Sequence, residues 1–207
     1  TVEKLVAREF DLSRLKELEH SCAANGQEFL LNKKGLFPEI VEYFFDVRQK
    51  AKKEMLRLEA LNTDDKESLQ KISSLHVKQM SYKILLNGFY GAIANKYFVY
   101  FDTRIAEGIT LSGQTIIKNA EVHTNKFLSK MFKREYDYCY YSDTDSLHIT
   151  LGYLVNKVYS DLSKREISHL LSTICEDVLT PEIKRICSEL GDYLNLYAKE
   201  KISFKRE

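Results

Sequence analysis

The sequence lacks an excess of charge of either sign, because 31 Lys and Arg residues against 30 Asp and Glu residues give a formal net charge of +1. A global basic field that would attract nucleic acid is therefore absent, although nucleic-acid proteins often concentrate their basic residues locally. No apolar run approaches the ~20 residues that a membrane-spanning helix needs, and no signal peptide is visible. We therefore expect a cytoplasmic protein with no membrane partner.

Cysteine is also scarce, and the four cysteines show neither a C-x-x-C pair nor a histidine at zinc-binding spacing. We expect Cys22, Cys139, Cys175 and Cys187 to be reduced structural thiols, as is usual in cytosolic proteins. The sequence has no internal repeats and no low-complexity tract.

The 207 residues, 44% of them hydrophobic, suffice for a sizeable core and for one or two compact units. Hydrophobic periodicity predicts a helix-dominated α+β fold with a small antiparallel sheet. The predicted helices cover residues 12–24, 38–60, 66–90, 107–131 and 164–190, the last interrupted at Thr180-Pro181, and the predicted strands cover residues 136–141, 147–151 and 202–204.

Two of the predicted helices are joined by the short polar turn Asn62-Thr63-Asp64-Asp65, in which Asp64 or Asp65 can cap the second helix. Two antiparallel helices with such a tip form a helical hairpin. The first of them carries a basic run in which Arg48 and Lys52, four residues apart, share a face. Arg and Lys can bind phosphate, but a solvated, charged helix surface is the ordinary explanation of such a run.

Two aspartates, Asp143 and Asp145, lie one residue apart between runs that are typical of strands. Aspartate is a poor strand former, so the pair is expected at a tight turn where the carboxylates converge. Converging carboxylates suit a hard divalent cation, which prefers oxygen ligands. A plain hairpin turn, in which Asp and Ser make local hydrogen bonds, explains the same pattern.

Upstream, Lys83, Asn87 and Tyr90 are spaced four and then three residues apart, which places them on one helix face. Gly91 then predicts a helix end or a bend. A cation, an amide and a phenol on one stripe make a polar recognition surface. An amphipathic helix with a solvated lysine has the same pattern.

Together, the two stretches resemble the B-family DNA polymerases. Lys-x-x-x-Asn-x-x-Tyr-Gly, ending at Gly91, resembles motif B of the fingers, and Tyr-x-Asp-Thr-Asp-Ser, ending at Ser146, resembles motif C of the palm. The 53 positions from Tyr90 to Asp143 are close to the family's spacing. The sequence between them is most similar to replicative polymerases of tailed bacteriophages, and the resemblance runs from about Phe10 to the end of the chain.

The resemblance implies a palm-proximal lead-in over residues 1–35, a fingers helical hairpin over residues 36–91 and a partial palm over residues 92–207. It implies that Asp143 and Asp145 are catalytic metal ligands, with Asp145 the more direct ligand and Asp143 close to the primer terminus. Thr144 and Glu207 are additional site candidates.

For the nucleotide, the resemblance implies that Lys83 contacts the phosphates and that Arg48 and Lys52 hold the β- and γ-phosphates. Asn87 would position the nucleotide or the fingers backbone, and Tyr90 would pack against the nascent base pair. The chain departs from the family pattern at Gly88, where Ser is common, and at Ser142, where Gly is usual.

The implied reaction is template-directed nucleotidyl transfer to a primer 3′-hydroxyl by two-metal catalysis, with two Mg²⁺ ions as cofactors and Mn²⁺ as a substitute. The implied partners are primer–template DNA, deoxynucleoside triphosphates, the remainder of the polymerase and, as a further candidate, a sliding clamp. A viral member would act in the host cytoplasm.

No motif A, exonuclease motif or thumb is found in the sequence. We therefore expect part of a larger or split enzyme, inactive as an isolated chain. Two alternatives are a catalytically inactive nucleic-acid-binding or scaffold module derived from a polymerase, and another palm-type polymerase such as a reverse transcriptase.

Overall fold

A computed structural model describes residues 1–61, 65–159 and 161–205. The described chain is helix-dominated, with two small antiparallel sheets, so the predicted α+β class is confirmed. The helices are α1 (Val2–Val6), α2 (Arg14–Glu17), α3 (Leu36–Ala60), α4 (Lys66–Ile93), α5 (Thr103–Phe132), α6 (Gly152–Val158), α7 (Lys164–Ile174) and α8 (Thr180–Tyr193). The strands are β1 (His20–Cys22), β2 (Glu28–Leu30), β3 (Tyr141–Asp143) and β4 (Ser146–His148).

The chain divides into two compact units, one formed by residues 32–106 and the other by residues 1–31 with the described residues from 107 onward. The first unit is built on the antiparallel pair α3 and α4, which pack along their length. Ala51, Met55 and Leu58 form the buried stripe of α3, spaced four and three residues apart as a helix face requires. The helical hairpin predicted from the sequence is therefore present.

Both ends of this hairpin have identifiable local causes. Pro38 lies in the first turn of α3, where its missing N–H has no helical partner to lose. At the tip, the Asp65 carboxylate accepts a hydrogen bond of 2.8 Å from the Ser68 N–H and so caps α4, as predicted. Hydrogen bonding by Ser68, first from its side chain and then from this N–H, lowers the pKa of Asp65. The other predicted cap, Asp64, lies outside the described residues.

The second unit has two hydrophobic clusters. Leu5, Leu190 and Leu194 join α1 to α8 and the residue that follows it. Leu128, Tyr138, Leu151 and Leu179 form the other cluster. Because Tyr138 precedes β3 and Leu151 follows β4, this second cluster holds both ends of the β3–β4 hairpin.

The predicted helix over residues 12–24 is wrong beyond the single turn α2. Glu19 adopts a positive φ of 52°, which ends the helical path, and β1 then pairs with β2 in the register His20 to Leu30. Asn25-Gly26 forms part of the turn between these strands, with Gly26 at φ 86°. An Asn-Gly pair between extended segments is a strong hairpin signal.

Two further boundaries differ from the sequence prediction. The interruption at Thr180-Pro181 is real, but it takes the form of a π-helical turn over Cys175–Leu179 that joins α7 to α8. Pro181 has no N–H to donate to a helical carbonyl, and the Thr180 hydroxyl donates to the Cys175 carbonyl at 2.8 Å. The predicted strand over residues 202–204 is wrong, because that segment is irregular.

Candidate functional site

The aspartate pair lies at the tip of the β3–β4 hairpin. Asp143 pairs with Ser146, so Thr144 and Asp145 form a two-residue turn. Thr144 has a φ of 51°, the Asp145 N–H donates to the Asp143 carbonyl at 2.5 Å, and the Thr144 hydroxyl donates to Asp143 Oδ1 at 3.0 Å. Asp143, Thr144 and Asp145 are all exposed. The predicted strand–turn–strand junction is therefore present, although both strands are shorter than predicted.

Two carboxylates and a threonine hydroxyl at an exposed tip are hard oxygen donors, which is the chemistry that Mg²⁺ and Mn²⁺ require. This donor set fits such an ion. In the part of the chain that the structure describes, however, no group of three His, Cys, Asp or Glu side chains is placed to hold a metal. Affinity for a hard cation depends on the number of charged ligands, so this pair alone predicts weak binding.

The chain leading into β3 is held by Asn125 of α5, a residue that the sequence analysis missed. Its Oδ1 accepts hydrogen bonds from the Tyr138 and Cys139 N–H groups at 2.8 and 2.9 Å, and its Nδ2 donates to Asp137 Oδ1 at 2.8 Å. These bonds take the place of the strand-to-strand backbone hydrogen bonds expected for the predicted strand over residues 136–141. On the other side, the Thr150 N–H donates to the Tyr138 carbonyl at 2.8 Å. No sequence pattern links residues so far apart.

Aromatic rings flank the hairpin. The His148 ring lies 5.2 Å from the Tyr141 ring and 6.1 Å from the Tyr140 ring, in both cases edge to face. Tyr141 and His148 are direct partners across the hairpin, so their contact supports its register.

The polar stripe on α4 is exposed along its length. Lys83, Asn87 and Tyr90 are all solvent-accessible, and Lys83 has no carboxylate partner among the described residues. The sequence predicted that α4 ends or bends at Gly91. It does not end there, because α4 continues to Ile93. Gly91 adopts no positive φ, so its presence does not force the helix to stop.

On α3, Arg48 and Lys52 differ in environment although they lie one turn apart. Lys52 is exposed, whereas Arg48 is half-buried and its Nε atom is buried without a hydrogen-bond partner in the described chain. A buried donor of this kind carries a desolvation penalty that an arriving acceptor would relieve. Further along α3, Arg57 forms a two-bond ion pair with Glu54 at 2.8 and 2.9 Å, so that part of the basic run is an ordinary solvated helix surface.

The pairing of α3 with α4 fixes where these cations lie along the hairpin. The Phe44 and Tyr82 rings are 5.6 Å apart, and Lys71 Nζ lies 3.8 Å from Glu54 Oε1. Interpolation between these contacts puts Arg48 about 8 Å along the axis from Lys83, at the helical rise of ~1.5 Å per residue. Lys52 lies about one helical turn further away. The cations therefore form an axial row in which Arg48 lies between the other two.

Among the other predicted site residues, Thr144 lies in the hairpin turn, between the two aspartates, and Glu207 lies outside the described residues. The four cysteines are free thiols, as predicted, and three of them are buried. Burial raises the pKa of the Cys139 thiol to about 12 and that of the Cys187 thiol to about 11, which makes both unreactive near neutral pH. None of the described helices is both long enough and apolar enough to cross a bilayer.

Comparison with known proteins gives a consistent result. The family model for DNA polymerase family B matches residues 1–188. The DNA-directed DNA polymerase of Escherichia phage RB69 is 25% identical over 85% of the chain, and that of Enterobacteria phage T4 is 26% identical over 86%. A protein named DNA polymerase beta from African swine fever virus is 28% identical over 79% of the chain.

The chain spans 25% of the length of the two phage proteins and 14% of the length of the swine fever virus protein. The match nevertheless contains the Asp143–Asp145 hairpin, the α3–α4 hairpin and most of α8. On this coverage, the chain belongs to DNA polymerase family B.

Proposed function

We propose that this chain supplies the motif C half of the metal site and the nucleotide-binding helices of a DNA-dependent DNA polymerase. The observation that carries the proposal is the exposed Asp143-Thr144-Asp145 turn within a family B match. The helical hairpin within residues 36–91 would be the fingers, residues 92–207 would be part of the palm, and residues 1–35 would lead into it.

In this proposal, Asp143 and Asp145 hold divalent metal at the hairpin tip. When bound, Mg²⁺ would lower the pKa of the primer hydroxyl and neutralise charge on the transferred phosphoryl group. The hairpin's contribution is positional, because its two ends are fixed in the cluster around Tyr138 and Leu151. Asp145 lies within the turn and is the residue that we expect to matter most.

The row of cations on α3 and α4 would bind the triphosphate of the incoming nucleotide. Arg48 has an unused, buried Nε donor, and a guanidinium can bind phosphate oxygens in pairs. Lys83 and Lys52 add point charges on either side along the axis. Asn87 and Tyr90 lie further along α4, where they would contact the nucleotide and the new base pair. The substrates would be primer–template DNA and deoxynucleoside triphosphates.

The metal proposal is tested by titration with Mn²⁺, whose paramagnetism broadens the amide signals of nearby residues. We expect selective broadening over residues 142–146 at millimolar metal, and loss of most of that effect in Asp145→Asn. Asp46→Asn, which neutralises an exposed carboxylate on α3, is the control and should leave the broadening unchanged. Absence of broadening, or equal broadening in Asp145→Asn, would contradict the proposal.

The phosphate proposal is tested with inorganic triphosphate, measured by calorimetry at low and high salt. Binding should weaken about tenfold or more in Arg48→Ala, because a charge-assisted hydrogen bond contributes ~1.5–3 kcal/mol. Lys50→Ala removes one charge from the opposite side of the same helix and should change the affinity little. Equal losses in both variants would indicate nonspecific attraction to the basic helix.

Catalysis needs more than these parts, since the described residues place two carboxylates together and not three. We therefore propose that the isolated chain does not extend a primer, and that extension appears when the remaining parts of a family B polymerase are supplied in trans. Asp145→Asn in this chain should then abolish it. Asp145-dependent extension by the isolated chain would refute this and make Glu207 the first candidate for a third carboxylate.

A further inference from the structure

A cleft of about 440 Å³ lies in the second unit; the Asp143–Asp145 turn does not line it, and the proposed reaction does not use it. This size falls within the ~300–1,000 Å³ range of small-ligand sites. None of the described lining residues is acidic; they are Arg134, Tyr136, Tyr138, Thr150, Gly152, Tyr153, Asn156 and Lys157. Two permanent cations and three phenol rings therefore define its chemistry.

The end of α5 places Arg134 at this cleft. Lys133 adopts a positive φ of 50°, and the Arg134 N–H donates to the Ser129 carbonyl at 3.1 Å. This is the hydrogen bond that closes a helix through a left-handed residue. The Tyr138 hydroxyl then donates to the Arg134 carbonyl at 3.3 Å, which fixes the backbone of the turn.

The Arg134 guanidinium is held by aromatic rings rather than by a carboxylate. Its Cζ lies 4.5 Å from the centre of the Tyr153 ring and 5.0 Å from that of Tyr136. Within the described residues it forms no ion pair. Stacking on rings leaves the N–H groups at the guanidinium edge free to bind an anion, and it restricts the side chain before any ligand arrives.

Lys157 supplies the second cation. Its Nζ donates to the Tyr153 hydroxyl at 2.8 Å and lies 5.3 Å from the centre of that ring. The hydroxyl accepts this bond without neutralising the charge. Tyr136, which also lines the cleft, is 47% exposed, so part of this side chain remains accessible beside the Arg134 guanidinium. Phosphate-binding cations beside an accessible aromatic ring are the combination by which proteins bind single-stranded nucleic acid.

We propose that this cleft binds one nucleotide unit of single-stranded DNA, with phosphate on Arg134 and Lys157 and a base against Tyr136. The nucleotide chemistry follows from the lining residues alone. The preference for a strand over a free nucleotide rests on the proposed polymerase function. A duplex is excluded from such contacts because its bases are stacked on one another.

The test measures binding of a fluorescein-labelled twelve-residue oligo-dT to the full chain at low salt, with dTMP and inorganic phosphate as competitors. Tyr136→Ala should weaken binding about fivefold or more, because it removes the ring on which a base stacks. Arg134→Ala should weaken binding about tenfold or more, because it removes a charge-assisted phosphate contact. Tyr136→Phe keeps the ring and should retain the affinity. Lys157→Gln should also reduce the salt dependence, by roughly 0.7 in the slope of log K against log salt.

Two controls separate this cleft from the other basic surfaces. Lys130→Ala removes an exposed charge from α5 and should leave binding unchanged, as should Lys50→Ala, which removes an exposed charge from α3. Competition by dTMP at concentrations near those of the oligonucleotide would support the cleft but indicate a free nucleotide as its ligand. Equal binding by the parent, Arg134→Ala and Tyr136→Ala proteins would overturn the proposal, whatever the outcome at Asp145.

Discussion

Removal of the Asn125 side chain should loosen the base of the β3–β4 hairpin, although no residue of the hairpin itself is changed. In Asn125→Ala, the Tyr138 and Cys139 N–H groups lose their shared acceptor, and Asp137 loses a donor. The two N–H groups belong to residues that are 0% and 4% exposed, so water cannot easily replace the amide oxygen. These hydrogen bonds of Asn125 go to residues that precede β3, and not to the hairpin tip.

The expected cost follows from the two stranded donors. An unsatisfied buried polar group costs ~1–3 kcal/mol. Asn125 itself is half-buried, and its removal opens a path for water, so we expect a combined cost near the lower end, about 2–3 kcal/mol. At ~1.4 kcal/mol per factor of ten, this corresponds to a roughly 30-fold to 140-fold increase in local opening.

Amide hydrogen exchange measures this opening directly. Tyr138 and Cys139 should lose protection by that factor, while Ile117, in the middle of α5, should change little. Asp137→Ala removes only the bond from the Asn125 amide nitrogen and leaves the acceptor oxygen in place, so it should keep most of the protection at these two amides. Exchange at Tyr138 and Cys139 within threefold of the parent in Asn125→Ala would refute the assignment of Asn125 as the residue that positions the hairpin.

Two further predictions concern stability. Gly88→Ala should raise the free energy of unfolding, measured in urea, by about 0.5–1 kcal/mol. The reason is that a Cβ at this position meets nothing within 4 Å and that glycine is a poor residue inside a helix. A loss of stability would show that α4 needs glycine at this position. For His123, burial and then the Lys126 and Arg8 charges lower the folded-state pKa, so protonation favours the unfolded state. The parent should therefore lose stability as the pH falls below the ordinary histidine pKa of ~6.5, and His123→Gln should lose less stability between pH 7 and pH 5. Parallel curves of unfolding free energy against pH for the two proteins would contradict this.

Local patterns predicted the long helices well. The buried stripe of α3, the Asp65 cap and the lengths of α4 and α5 depend on residues within one or two turns, which sequence periodicity records. The helix prediction over residues 12–24 was wrong because the Leu-rich spacing of that segment resembles a helix face. Tertiary contacts override that preference: the Cys22 N–H donates to the Leu194 carbonyl at 3.0 Å, a partner that is remote in the chain.

The candidate site shows the same division. Asp143, Asp145 and the α4 stripe could be predicted because each group is contiguous or shares one helix face. The hydrogen bonds of Asn125 to residues 137–139 and the unpaired Arg134 guanidinium could not be predicted, since each depends on which segments meet in space. The different environments of Arg48 and Lys52 were also invisible, because the spacing of four places two residues on one face without stating which lies at the helix interface.

Thr144 shows how local sequence preference and tertiary contacts act together at the hairpin tip. A β-branched residue at φ 51° occupies a position that hairpin turns normally give to Gly, Asn or Asp, and such a conformation costs ~1–3 kcal/mol. The local sequence therefore does not favour this turn by itself. Contacts outside the turn offset this cost, because they hold the strands in register. They are the cluster of Leu128, Tyr138, Leu151 and Leu179, the hydrogen bonds of Asn125, and the contact between Tyr141 and His148. A turn imposed by its anchors keeps both carboxylates at one exposed tip, which is the arrangement that a metal-binding pair requires.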